Sequence, residues 1–173
     1  MYRRFIWIAL VVAALTAASA ATALSLPDRV SLSWVAVLSG ANEVPSVDTD
    51  AWGSAFFQLS PDGNMLRYQL TVANIVDVFA SHIHLAPAGA NGPVVVTLYS
   101  AEPSGRLDGV IAQGEIRAED LVGLLAGQPV SALVEAMNAG NTYVNVHTTA
   151  HPGGEIRGQI MPANAIGAMA RRR

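Results

Sequence analysis

Four histidines are the residues of this 173-residue chain best suited to chemistry, and they come as two pairs. The stretch "FASHIHLAPAG" (79–89) places His82 and His84 one residue apart, and "YVNVHTTAHPGG" (143–154) carries His147 and His151. Neutral imidazoles suit Zn²⁺ or Cu²⁺. Alternate side chains of an extended strand share a face. His82 and His84 should therefore project together while Ile83 and Leu85 turn to the core, and Asn145 and His147 should share a face opposite Val144 and Val146. Two histidines at i, i+2 on one strand and a third near the end of another can converge on one ion. His151, in a turn before Pro152, can close the set. The competing reading needs no ion. Histidines flanking Gly/Pro loops also fix loop shape by donating to backbone carbonyls, here with Glu43, Asn91, Asn145 and Glu155 as natural partners.

Other chemistry is thinly represented. Ser39, Ser46 and Ser81 lie outside any G-x-S-x-G elbow, and no phosphate-cradling loop is present. The chain has no Cys, which rules out disulfides, thiol chemistry and a lipoprotein anchor. Asp48 and Asp50 lie in a loop and, with Glu43, can bind Ca²⁺, although solvated loop carboxylates are the commoner outcome.

Charge narrows the partners. Every basic residue is Arg, and from Ser31 to Gln159 four arginines face twelve acidic residues, a net of −8. Such a surface repels nucleic-acid phosphates and anionic membrane and favours cations, besides keeping an exported protein soluble.

The segments that must position the histidines are short and β-like. "VSLSWVAVL" (30–38), "SAFFQL" (54–59), "MLRYQLTVAN" (65–74), "VFASHIHL" (78–85), "PVVVTLYS" (93–100) and "GVIAQGEIR" (109–117) alternate in polarity or run apolar between turn residues. "SPDGN" (60–64) reads as a hairpin turn. One interval departs from this rhythm: Val130, Leu133, Val134 and Met137 recur at helical spacing between Pro129 and Gly140, predicting one short helix near 129–138. A helical turn is expected just before it, at 118–124. "TYVNVHTT" and "EIRGQIMP" then return to strand. The pattern predicts an all-β, antiparallel immunoglobulin-like or Greek-key sandwich or barrel of seven to nine strands. "QGEIR" (113–117) and "GGEIRGQI" (153–160) echo one another and read as two similar sheet edges, each with Ile inward and a surface Glu–Arg pair.

The ends look like processing and terminal segments. "MYRRFIWIALVVAALTAASA" has Arg3 and Arg4 before an apolar run and Ala18-Ser19-Ala20 as a cleavage site, with Ala21-Thr22-Ala23 as a second. This predicts a signal peptide over 1–23 and an extracytoplasmic (secreted or periplasmic) product. An uncleaved anchor from Phe5 to Leu24 is the alternative. Residues 24–34 form a linker and the start of the first strand, and 161–173 a flexible basic tail.

Several blocks, in this order, resemble the CHRD domain, a family named for the extracellular protein chordin: "SGANEVP", "SHIHLAPAGANGPVV" and "YVNVHTTAHPGGEIRGQI". The resemblance spans about residues 35–160. It implies an extracellular β-sandwich or barrel and brings no firmly assigned chemistry for microbial members. The expectation is a secreted, single-domain, non-catalytic binding or structural module, whose ligand is an extracellular protein, a cell-surface polymer or a metal. Nucleic acid is not expected as a partner, nor membrane once the signal is removed. The alternative is a copper or zinc protein with His82, His84, His147 and His151 as ligands, similar in site geometry to the superoxide dismutases. Enzymatic activity ranks last, because nothing marks an open catalytic position.

Overall fold

The computed structural model describes residues 32–164. The signal peptide expected over 1–23, most of the linker and most of the basic tail lie outside them.

The apolar alternation of Leu66, Tyr68, Leu70 and Val72 produces a strand with one face in the core. Nine strands form in the described residues: β1 (Ser33–Ser39), β2 (Trp52–Leu59), β3 (Leu66–Val76), β4 (Val78–Leu85), β5 (Val94–Ser100), β6 (Arg106–Ile116), β7 (Thr142–Thr148), β8 (Ile156–Gln159) and the short β9 (Met161–Pro162). All pairings are antiparallel, in the order β5-β4-β7-β8-β1-β2-β3-β6, with β9 also on β1. The single sheet curls until its end strands β5 and β6 come into contact. Across that seam the Tyr68 hydroxyl donates to the Leu98 carbonyl at 2.8 Å. The all-β expectation holds, in its barrel form.

The interior is filled by inward residues of every strand, among them Trp34, Leu38, Phe57, Leu66, Leu70, Ile83, Val144, Val146 and Ile156. The predicted helix is α1 (Val130–Asn138), preceded by two 3₁₀ turns at Ala118–Asp120 and Gly123–Leu125. Its buried stripe is the one expected, Val130, Leu133, Val134 and Met137. Asn138 at its end accepts a hydrogen bond from the Trp34 indole at 3.0 Å, tying the helix to β1.

β8 approaches β1 so closely that a Cβ on Gly158 would lie 2.4 Å from the Val37 carbonyl oxygen. The residue at that position must be glycine for the two strands to meet.

The two "GEIR" copies differ, which corrects the expectation of two similar edges. β6 is an end strand, and its Arg117 pairs at the surface with Glu115 at 2.8 Å. β8 lies between β7 and β1, and both Glu155 and Arg157 are buried there. Exposed pairs of the first kind are screened by water and contribute little, so Arg117→Ala should leave the denaturation midpoint almost unchanged.

Candidate metal centre

β4, β7 and β8 are neighbours, and strand register sets their outward side chains in rows. His84 stands opposite Tyr143, His82 opposite Asn145, and Asn145 opposite Arg157. The intervening Ile83, Val144 and Val146 point into the barrel and anchor this array. Two loops close over it. Asn91 donates to the Val44 carbonyl at 2.8 Å, joining loop to loop. Arg157 donates to the Ala90 carbonyl at 2.7 Å and to the Asn91 side-chain oxygen at 3.0 Å, joining loop to sheet. An outward sheet face that would normally meet water is thus largely buried.

The histidines expected to share faces do so, and three come together. His82, His84 and His147 each offer a ring nitrogen within 4.8 Å of the others. His82 Nδ1 lies 3.1 Å from His147 Nε2. The two buried rings are oriented by backbone carbonyls: His84 Nδ1 faces the Gly92 oxygen at 2.8 Å, and His147 Nδ1 faces the Pro152 oxygen at 3.0 Å. Only an N–H can face a carbonyl, so both rings carry their proton on Nδ1 and keep a lone pair on Nε2. His84 is further fixed by stacking on Tyr143, with centroids 4.8 Å apart and planes 6° apart. Arg157 lies over the Tyr143 ring, 3.4 Å from its centroid.

Burial holds all three imidazoles in the neutral form. It lowers His82 from 6.5 to about 4, helped by the charges of His147 and His84. Burial likewise lowers His84 and His147, opposed in each case by the carbonyl that the ring binds.

His151 is placed apart from this cluster. Its backbone exchanges hydrogen bonds with Thr148 (N to O, 3.1 Å; Thr148 N to its own O, 3.3 Å), forming a tight turn. Its side chain lines a pocket of about 290 Å³ with Glu43, Val44, Pro45 and Pro152. Glu155 binds the Thr49 and Thr148 hydroxyls at 2.7 and 2.6 Å. Asp48 and Asp50 join no metal-ligating cluster among the described residues.

With that geometry in view, comparison with known families matches residues 34–160 to the CHRD domain. The chain belongs to the CHRD family. No curated protein and no solved structure matches it. The CHRD blocks noted in the sequence are the pieces that build the array: "SHIHL" is β4, "YVNVHT" is β7, "GGEIRGQI" brings in β8, and "GANEVP" and "APAGANG" supply the covering loops.

Sequence reasoning listed Glu43, Asn91, Asn145 and Glu155 as hydrogen-bond partners for the histidines. The carbonyls of Gly92 and Pro152 take the His84 and His147 Nδ1 protons, the backbone acceptors that the competing reading expected, and none of these four side chains does. Arg157, outside every candidate list, organises both loops. Its only signal was an Arg one residue before Gly158 in a strand of otherwise core-like spacing.

Glu43 is a further buried ionisable group of this CHRD domain. Burial raises its carboxyl from 4.5 to about 7 against the lowering influence of Arg157. The folded state therefore holds this proton where the unfolded state has released it, and stability falls as pH rises from 4.5 through 7. Glu43→Gln cannot ionise. It should exceed the wild type above pH 7 by on the order of 2 kcal/mol and match it below pH 4.5. Urea midpoints at pH 4 and pH 8 check this, and equal differences at the two values would contradict it.

Proposed function

We propose that this CHRD domain is an extracytoplasmic, non-catalytic binding module whose ligand is a single Zn²⁺ or Cu²⁺ ion held by His82, His84 and His147. The observation that carries this reading is the buried His84 Nε2, which has no hydrogen-bond partner. Leaving a buried polar atom unpaired costs on the order of 1–3 kcal/mol. A metal-ligating histidine characteristically gives its other ring N–H to a backbone carbonyl, and His84 and His147 both do. A purely scaffolding histidine has no need of a free, buried lone pair beside two other imidazoles.

The spacing is compatible with an ion. Bonds of about 2.0–2.1 Å in a tetrahedral arrangement set the donors roughly 3.3 Å apart. His82 Nδ1 and His147 Nε2 are already 3.1 Å apart, joined by a hydrogen bond whose proton the ion would replace. All three donors already lie within 4.8 Å of one another, so binding requires the widest pair to close toward that spacing. Export from the cytoplasm rests on the basic-apolar-small order of residues 1–23 and on the family. No helix among the described residues is long and apolar enough to cross a membrane.

The test is metal content. Mature protein without a His-tag is loaded with Zn²⁺ or Cu²⁺, dialysed and analysed by mass spectrometry. About one equivalent should be retained. Less than about 0.1 equivalent would end the metal reading.

A further inference from the structure

Among the described residues, three of the four buried side-chain atoms without a hydrogen-bond partner belong to Glu43 (Oε1), Asn145 (Oδ1) and His84 (Nε2). All three belong to the covered array. Asn145 is 2 % exposed, stands directly opposite His82 and lies two residues from His147. Its side chain lies against the His84 ring. Nδ1 of His84 is occupied by the Gly92 carbonyl, so the nitrogen that meets Asn145 is Nε2, which carries a lone pair. Asn145 Oδ1 and His84 Nε2 are thus two acceptors left without a hydrogen-bond partner on one buried sheet face. A cation shared between them satisfies both.

The amide is held from behind. A Cβ on Gly154 would lie 2.4 Å from Glu43 Oε1 and 2.9 Å from Asn145 Nδ2, so these two groups converge on the bare glycine. The NH₂ end of Asn145 thereby looks toward Glu43 and the oxygen end toward His84.

Resting on the three-histidine reading above, we infer that Asn145 Oδ1 is the fourth donor to the ion, making an N₃O set. A hard oxygen in the fourth position suits Zn²⁺ and Cu²⁺ better than Cu⁺, which prefers soft ligands. His151, which sequence spacing nominated to complete the set, is then not a ligand.

The test uses the mature chain with Asn145→Ala and Asn145→Asp, both measured by Zn²⁺ competition against a chromophoric chelator and by the visible spectrum of the Co²⁺-loaded protein. Asn145→Ala should still bind one equivalent, about tenfold to a hundredfold more weakly, with a changed Co²⁺ d–d band. Asn145→Asp should restore tight binding and shift the band again, because a carboxylate occupies the same position. Equal Zn²⁺ affinity and identical Co²⁺ spectra for wild type and both variants would overturn the inference and leave the three-histidine centre standing. That is the result expected if the amide NH₂ faces Nε2 and only braces the apo fold. If Asn145→Ala does not fold, the Asp variant decides alone: an unchanged band and affinity overturn the inference. Wild-type protein that binds neither ion overturns the centre itself, and the inference with it.

Discussion

His84→Ala should reduce retained metal from about one equivalent to less than about 0.1 while leaving the barrel folded. The His84 ring supplies the lone pair that nothing else in the array satisfies, and its removal leaves two imidazoles, too few to hold an ion through dialysis. The structural cost is smaller. Losing the bond to the Gly92 carbonyl and the stack on Tyr143 should lower stability by about 1–3 kcal/mol, readable in the denaturation midpoint of the apo protein. The two effects separate the roles: a scaffolding histidine would show the second loss without the first. Protons compete for the same nitrogens, so affinity must fall as pH drops. Because His82 is held near 4 and its partners are also lowered, the site should keep its ion at pH values where histidines of ordinary pKa, about 6.5, have largely released theirs. Loss of metal in a simple titration centred on pH 6.5 would contradict the buried, neutral environment described here.

Arg157→Met should be the most destabilising single change outside the hydrophobic core, by about 3–5 kcal/mol. Hydrogen bonds to charged groups contribute about 1.5–3 kcal/mol each, and a desolvated cation–π contact about 2. Arg157 makes two such bonds, to the Ala90 carbonyl and the Asn91 side chain, and stacks on Tyr143. Its loss strands those acceptors and frees the loop carrying Gly92, whose carbonyl orients His84. Lys should not rescue, because an ammonium lacks the planar fork that stacks and donates at once. Urea unfolding at constant m value measures the loss. An almost unchanged midpoint, as expected for Arg117 in the sister "GEIR" copy, would show that burial of Arg157 does not organise the loops.

The contrast between Arg117 and Arg157 marks what could be seen in the sequence. Period-2 alternation in β3 and the His-x-His of β4 fix which residues share a face, and the 130–137 stripe fixes the helix, because these depend on local geometry alone. Residues 40–50 and 86–92, rich in Gly, Pro and polar residues, carry no local sign that they fold over a sheet face, so the burial of Glu155, Arg157 and Glu43 was hidden. The same four letters lie at an end strand in one copy and between two neighbours in the other, and only strand order distinguishes them. His151 illustrates a second limit. Its place in a turn before Pro152 let it be read as closing the set, but the Thr148–His151 turn leaves it outside the three clustered rings.

The central claim, that three imidazoles from β4 and β7 converge on one ion, is tested most directly by anomalous diffraction at the metal edge from crystals of the Zn²⁺-loaded protein. One peak is expected among His82, His84 and His147, with metal–nitrogen bonds of about 2.0–2.1 Å. A peak at His151 or elsewhere, or none at these rings in fully loaded protein, would contradict it.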